Sequence, residues 1–116
     1  MNLQPVIDLP TFEALKDSMG ADFINELVQA YLEETPQLLS KLQQALARQD
    51  CEAFRLAAHS IKSTSNSFGA LQFGALAKEL EMMGREARLD GAFEKVKSLL
   101  SGFETVQQSL LELSRG

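Results

Sequence analysis

A long amphipathic pattern over residues 21–48 constrains the fold of this chain more than any other feature of its sequence. Apolar side chains recur there at the spacing of one helical face, namely Phe23, Leu27, Ala30, Tyr31, Leu38, Leu42 and Leu46. Pro36 interrupts the pattern, and we expect a kink or a local loosening there rather than a break. The sequence therefore predicts one long helix from Ala21 to about Arg48.

Shorter helical patterns lie on either side of this segment. The stretch "PTFEALKDSMG" predicts a short first helix, with Thr11 near its N-terminal cap and Gly20 as its stop. After the long helix, Asp50 is placed to cap a third helix with the body "DCEAFRLAAHSIKSTSNSF". Gly69 follows the end of that helix, where glycine is common.

Two more helices complete the chain. The fourth is predicted over about residues 70–87, and "RLDGA" is predicted to form the turn after it. The fifth, over about residues 92–113, carries the apolar residues Phe93, Val96, Leu99, Leu100, Phe103, Val106, Leu110 and Leu113. Four long helices joined by short turns predict an all-α fold. We expect an antiparallel up-down-up-down four-helix bundle, with the short first helix as a cap.

Length and charge limit the classes of protein that fit. The 116 residues suit a single domain over residues 1–116, and 45% of them are hydrophobic, enough for one core. The formal net charge of −5 argues against nucleic acid as the main partner. No apolar run approaches the length needed to cross a membrane, so no membrane partner is expected.

The ends of the chain and its cysteine content favour a cytoplasmic protein. Cys51 is the single cysteine, so it makes no internal disulfide, which fits a reducing compartment. The segment "MNLQPVIDLP" lacks the basic and apolar regions of a signal peptide. Met1 suggests a complete small cytosolic protein, although an excised domain could begin in the same way.

The third helix divides into two faces when its residues are placed on a wheel at about 100° per residue. The core face is predicted to hold Phe54, Ala57, Ala58, Ile61, Ser65 and Phe68. The other face holds Arg55, His59, Lys62, Ser63 and Asn66. His59, the only histidine of the chain, is therefore predicted to face solvent in mid-helix. Lys62 lies one turn after it and Arg55 one turn before it.

The fourth helix is predicted to have a comparable division. Its apolar face holds Leu76, Leu80, Met83 and Ala87, and a different face holds Gly74, Ala77, Lys78, Glu81 and Arg85. Glycine inside a helix costs about 1 kcal/mol relative to alanine. Close packing or access for a partner would therefore explain Gly74.

Ordinary structural explanations exist for all of these residues. A lone histidine on a helix surface is most often a solvated side chain. Lys62, Arg55 and Arg85 taken alone are surface charges, and Glu81 alone is a surface glutamate. The run from Ser63 to Ser67 alone could be a poorly optimised helix end, because serine and threonine form helices poorly.

The stretch "AHSIKSTSNSFGA" resembles the signature of the histidine-containing phosphotransfer (HPt) family. That signature is commonly His-x-Leu/Ile-Lys-Gly-small-small-x-x-apolar-Gly-Ala. The downstream "ALAKELEMMGRE" is similar to the next helix of the family, and helix order and length also fit. The chain thus looks like a bacterial stand-alone HPt protein. The matching residues are His59, Ile61, Lys62, Thr64, Ser65, Phe68, Gly69 and Ala70.

The resemblance implies a role for each matching residue of the site. His59 would accept a phosphoryl group through its Nε2 atom, and Lys62 would sit beside that group. Glu81 falls where the family carries a glutamine or glutamate that holds the other imidazole nitrogen. Arg85 falls where some members carry a basic residue. Ser63 departs from the usual glycine, and its side chain could narrow the approach of a partner or favour particular partners.

The implied function is that of a phosphorelay intermediate. His59 would receive the phosphoryl group from a receiver-domain aspartate and pass it to the receiver of another response regulator, with a hybrid sensor histidine kinase upstream. The chain shows no nucleotide-binding loop, so no ATP-dependent kinase activity and no bound cofactor are expected. The Mg²⁺ would belong to the partner receiver. We expect a monomer that docks receivers through an exposed apolar patch beside His59.

Two other functions remain open from the sequence. One is a helical adaptor that binds receiver or kinase domains without accepting phosphate. The other is a metal site, because histidine and glutamate bind zinc. Such a site needs roughly three or four ligands, and the wheel does not bring His59 and Cys51 together.

Overall fold

The structure is a computed structural model that describes residues 6–115. These residues form an all-α fold of five helices without a strand, as the sequence predicts. No helix in this range is long and apolar enough to span a bilayer. The helices are α1 (Leu9–Met19), α2 (Ala21–Arg48), α3 (Cys51–Ser67), α4 (Leu71–Arg85) and α5 (Ala92–Arg115).

The four long helices form a closed bundle. Helix α2 packs against α3, α3 against α4, α4 against α5, and α5 returns to α2. Gly74 approaches Asn66 while Gly84 approaches Cys51, so α3 and α4 run antiparallel. Helix α1 packs on α2 and α3. The predicted four-helix bundle with a short additional N-terminal helix is confirmed.

Local capping explains where the helices begin and end, with one correction to the prediction. Asp8, rather than Thr11, caps α1, because its carboxylate accepts hydrogen bonds from the Thr11 backbone N–H at 3.2 Å and hydroxyl at 2.5 Å. Asp50 caps α3 as predicted. Gly20 ends α1 with φ 93°, and Gly69 follows α3 with φ 90°, a conformation that glycine adopts without strain.

Helix α2 continues through Pro36 without a break. Proline removes one backbone donor, but the rest of this helix remains anchored by its buried side. The Thr35 hydroxyl donates to the Tyr31 carbonyl oxygen at 2.7 Å, and the Tyr31 and Ser65 hydroxyls share a buried hydrogen bond of 2.6 Å. Polar atoms on the inner sides of α2 and α3 are therefore satisfied within the bundle.

The buried core confirms most of the predicted apolar faces. The whole predicted core face of α3 is buried, and Phe12 of α1 is also in the core. Leu15 and Leu27 are half-buried against it. Two aromatic residues of the predicted stripes are instead on the surface, since Phe23 is 46% and Phe93 63% exposed. Both stand near the first turn of their helices, where the bundle no longer covers the stripe.

The predicted division of α4 is wrong in part. Leu80 is buried and Leu76 and Met83 are half-buried, but Ala87 lies beyond the helix and is exposed. The face predicted to be separate from the core is the one that packs on α3, because it buries Gly74, Ala77, Glu81 and the previously unassigned Gly84. Small side chains let the two helix backbones approach closely, so hydrophobicity alone does not identify this contact face.

Candidate functional site

His59 lies in the middle of α3 on the side that faces solvent, as predicted. Its side chain is 53% exposed, while its neighbour Ala58 is completely buried. The ring is thus accessible to a partner molecule, yet it is not free to turn. Its Nδ1 atom lies 2.8 Å from Oε2 of Glu81 on α4, within hydrogen-bonding distance.

Glu81 is a charged residue in the interior rather than on the surface. Only 2% of it is exposed, and its two carboxylate oxygens contact different groups. Oε2 faces His59, while Oε1 lies 2.6 Å from Nζ of Lys62. The sequence alternative of a plain surface glutamate is therefore wrong. Glu81 joins α4 to two side chains of α3 that are separated by one helical turn.

Two cationic side chains stand beside this carboxylate. Lys62 is 24% exposed, and its ion pair with Glu81 is therefore partly shielded from water. Arg85 is more exposed, at 58%, and its Nη2 atom is 3.5 Å from Oε2 of Glu81. The Lys62 contact is shorter and less exposed to solvent than the Arg85 contact, so it contributes more to stabilising the ionised carboxylate of Glu81.

These contacts keep Glu81 ionised. Burial raises the pKa of a carboxyl group, but the hydrogen bonds from Lys62 and His59 outweigh burial here and hold the pKa of Glu81 below its ordinary value. A carboxylate can only accept hydrogen bonds, so Nδ1 of His59 must carry the hydrogen in this contact. In the neutral imidazole, Nε2 then keeps its lone pair.

Close packing of α3 and α4 makes this arrangement possible. A methyl group at Gly84 would stand 2.9 Å from the backbone N of Arg55 and the backbone O of Cys51, closer than real side chains approach. At the other end of α4, a methyl group at Gly74 would meet the side chain of Asn66. With glycine at both ends of the contact, Glu81 lies deep enough to reach beneath His59.

Comparisons with known proteins agree with this geometry. The family model described as "Hpt domain" matches residues 26–114. The chain belongs to the Hpt domain family. As an Hpt domain, it functions in histidine phosphotransfer within a phosphorelay. No curated protein sequence matches it.

Two solved structures are similar to this Hpt domain. One is histidine-containing phosphotransfer protein B (HptB) from Pseudomonas aeruginosa PAO1, with a TM-score of 0.91, 26% identity and 97% of each chain covered. The other is the HPT domain of the Hpt sensor hybrid histidine kinase from Shewanella. It has a TM-score of 0.70 and 18% identity, with 91% of this chain and 95% of that chain covered. The second likeness supports the fold.

The hydroxylated run after His59 has a structural role in this Hpt domain. Ser65 bonds to Tyr31 in the core, and the Thr64 hydroxyl donates to the Ser60 carbonyl oxygen at 2.9 Å. The Ser67 hydroxyl donates to the Ser63 carbonyl oxygen at 3.1 Å. The Thr64 and Ser67 bonds lie within the last turns of α3, and the Ser65 bond joins α3 to α2, so the run is accommodated in a regular helix.

The structure brings the four predicted site residues of the Hpt domain together. His59, Lys62 and Arg85 all surround Glu81. Within residues 6–115, no group of at least three His, Cys, Asp or Glu side chains is arranged to hold a metal ion. Gly84 was not identified from the sequence. Its position inside a helix, one turn from Glu81 on a face of small residues, was the feature that could have indicated close packing there.

Proposed function

We propose that His59 is the phosphoacceptor of this Hpt domain and that it reacts through Nε2. The observation that carries the proposal is the contact between Nδ1 and the buried, ionised carboxylate of Glu81. That contact selects the tautomer with a free Nε2 lone pair and orients the exposed ring. It also stabilises the positive charge that develops on the imidazole when Nε2 attacks phosphorus.

The transfer step is an exchange between two proteins. The Nε2 lone pair of His59 attacks the phosphorus of an aspartyl phosphate in a receiver domain. An N–P bond forms, the P–O bond to the aspartate breaks, and its electron pair leaves with the aspartate carboxylate. The Nδ1 proton stays on the ring, bonded to Glu81. Reversal of these steps passes the phosphoryl group to the aspartate of another receiver.

Lys62 and Arg85 supply countercharge in this proposal. Phosphoryl transfer depends mainly on positioning and charge stabilisation, and both cations lie next to the carboxylate that holds His59. Lys62 is the stronger candidate because its ammonium group is held in place at 2.6 Å from Glu81. Arg85, which is more exposed, contributes less in the protein alone.

The partner supplies what this chain lacks. We infer that the receiver brings both the aspartate and Mg²⁺, and that a hybrid sensor histidine kinase supplies the phosphoryl group upstream. The chain acts as a carrier without its own ATP-dependent kinase activity and binds no cofactor. A cytoplasmic monomer fits this role, since a receiver needs open access to His59.

The proposed docking surface for the receiver is the groove between α2 and α3 beside His59. Leu56, one turn from His59, is 51% exposed at its edge. The groove has a volume of about 350 Å³, and Lys41 and Arg48 are among the residues that line it. Ser63 is exposed one turn after His59. We infer that its hydroxymethyl group narrows the approach of a receiver.

Phosphoryl transfer from a panel of phosphorylated receiver domains tests the proposal. The wild-type protein should gain acid-labile, base-stable phosphate, and the His59→Gln variant should gain none. Lys95→Gln serves as the control, because it replaces an exposed cation of α5 outside the proposed docking surface, and it should keep the label. Label on the His59→Gln variant would contradict the assignment of His59.

A second candidate function is a phosphorylation-independent adaptor that binds receivers or kinases. The open α2–α3 groove is the observation that favours it, because binding there needs no chemistry. The same panel separates the two functions. Receivers that bind the wild-type protein but never label it would support the adaptor and contradict the relay.

A further inference from the structure

Arg55 lies one helical turn before the proposed phosphoacceptor His59, but its side chain is bound to Glu52, which lies a further turn towards the N-terminus. Arg55 precedes His59 on α3 at a spacing where i and i+4 side chains are neighbours. Its Nε and Nη2 atoms donate to the two carboxylate oxygens of Glu52 at 2.9 and 2.7 Å. The Arg55 side chain is 26% exposed and that of Glu52 67%. The guanidinium is therefore held by a carboxylate that lies mostly in water, and it is close enough to Glu81 for the two charges to interact.

The direction of the helix places His59 over the turn that contains Arg55. Side chains on a helix lean towards its N-terminus, so the imidazole lies above the preceding turn. Helix α4 runs antiparallel, and the contact of Gly84 with the backbone of Arg55 places Arg85 at the same level. Two arginines therefore stand on the N-terminal side of His59, whereas Lys62 stands on the C-terminal side.

The cations around Glu81 are already paired with its carboxylate, so a phosphoryl group on His59 would need a further positively charged partner. A phosphoryl group adds about −1.5 to −2 charge at neutral pH. Lys62 is already bound to one oxygen of Glu81, and Arg85 contacts the other. Arg55 has five N–H donors and uses only part of them on Glu52. Arg55 is therefore a nearby cation whose remaining N–H groups can donate hydrogen bonds to phosphoryl oxygens.

Water can screen and replace the partner that Arg55 now holds, because the Glu52 side chain is 67% exposed. Exposed ion pairs contribute little, because water and salt screen them. Arginine binds phosphoryl oxygens through the same kind of paired, charge-assisted hydrogen bonds that it makes with Glu52, but a phosphoryl group carries the larger negative charge, about −1.5 to −2. We propose that Arg55 is a phosphoryl-binding residue: when His59 is phosphorylated, its guanidinium leaves Glu52 and binds the phosphoryl oxygens. Glu52 competes for the arginine in the unphosphorylated protein. The inference rests on the proposed function of His59.

The equilibrium between the phosphorylated forms of this protein and a receiver tests the proposal. The receiver is one that labels the wild-type protein in the panel above. Arg55→Gln should lower the ratio of phosphorylated Hpt domain to phosphorylated receiver by about tenfold, the loss of a hydrogen bond to a charged group. Glu52→Gln should raise that ratio about twofold to fivefold, because the competitor is removed.

Further variants separate this role from a structural one. The double variant Glu52→Gln, Arg55→Gln should match Arg55→Gln alone, since Glu52 acts only through the arginine. Arg55→Lys should recover part of the ratio. Lys95→Gln is the control, because it breaks another exposed ion pair, Lys95 to Glu79 at 3.0 Å, between α5 and α4. It should leave the ratio unchanged.

A measurement without any receiver completes the test. Phosphoramidate serves as the small-molecule donor, and the ³¹P resonance of phosphorylated His59 is recorded for each variant. The resonance should shift in Arg55→Gln and stay in place in Lys95→Gln. Unchanged ratios and an unmoved resonance in Arg55→Gln would overturn the proposal, and so would a fall in the ratio for Glu52→Gln. Label that persists in His59→Gln would instead contradict the assignment of His59, so the two failures are distinct.

Discussion

At the scale of single residues, the chemistry of this protein depends on a carboxylate in an unusual place. Glu81 is 2% exposed, and ionised groups are rarely buried unless they are paired. Its pairing with Lys62 and His59 satisfies that requirement. The same contacts orient the phosphoacceptor in our proposal. One side chain therefore links the stability of the bundle to the reactivity of His59.

Glu81→Gln should weaken the bundle in a way that depends on pH. At neutral pH the variant should lose about 1–3 kcal/mol of unfolding free energy, because it lacks the charged partner of Lys62. The pKa of Glu81 is lower in the folded protein than its ordinary value of 4.5. As pH falls below 4.5, the Glu81 carboxylate takes up a proton in the unfolded chain before it does so in the folded protein. The unfolded state is thereby favoured, and the wild type loses the stability that ionised Glu81 provides.

Urea unfolding followed by circular dichroism between pH 7 and pH 3 measures the difference. The gap in free energy between wild type and Glu81→Gln should narrow as pH falls below about 4.5. Glu79→Gln is the matched control, since Glu79 lies on the same helix but is exposed. That variant should show little gap at any pH. A gap for Glu81→Gln that stays constant across the range would contradict the predicted linkage.

At the scale of elements, the contact between α3 and α4 decides the position of the site. Gly74 and Gly84 both lie on the buried face of α4, but they meet different atoms of α3. Gly84 faces backbone atoms of Cys51 and Arg55, which cannot move without shifting the helix. Gly74 faces the end of the Asn66 side chain, which can rotate towards solvent because Asn66 is exposed.

The two glycines should therefore respond differently to the same substitution. Gly84→Ala should destabilise the protein by about 1–3 kcal/mol through overpacking and should also reduce phosphoryl transfer, because α4 carries Glu81 away from His59. Gly74→Ala should be close to neutral, since alanine gains about 1 kcal/mol in helix propensity against the cost of moving Asn66. Thermal unfolding and the transfer assay measure both effects. Equal losses in the two variants would contradict this account of the contact.

Helices α2, α3 and α4 differ in how far their packing could be predicted from the sequence. Periodic apolar residues predicted the bounds of α2 and the core face of α3, because those faces bury large side chains. The contact face of α4 consists of glycine, alanine and a glutamate, whose burial depends on the partner helix. The resemblance pointed to Glu81 beside His59, but the burial of Glu81 and the ion pair of Arg55 with Glu52 required three-dimensional geometry.

At the scale of the whole molecule, one buried tyrosine reports on the integrity of the bundle. Tyr31, the only tyrosine, is 3% exposed and joins α2 to α3 through its hydrogen bond to Ser65. Its ring packs against Phe68 and Phe103, with centroids 4.8 and 6.3 Å away. Burial raises the pKa of Tyr31 from 10.0 to about 12, although hydrogen bonds partly oppose this.

This shift makes global stability sensitive to alkaline pH. Between pH 10 and about 12 the unfolded chain loses the tyrosine proton while the folded protein keeps it, so folding becomes less favourable as pH rises. While the helical circular dichroism is intact, the ultraviolet absorbance of tyrosinate should therefore appear only towards pH 12 and not near pH 10. The urea-unfolded protein, as a control, should titrate near the ordinary value.

The Tyr31→Phe variant isolates the contribution of this hydroxyl. Below pH 10 the wild type should be more stable by about 1–3 kcal/mol, because the variant leaves Ser65 without its partner. That difference in unfolding free energy should shrink as pH rises towards 12. Ionisation of Tyr31 stabilises the unfolded state of the wild type, and the variant has no tyrosine to ionise. Tyrosinate that forms near pH 10 with the helical signal intact would show that the hydroxyl reaches water in the folded bundle, contrary to the packing described above.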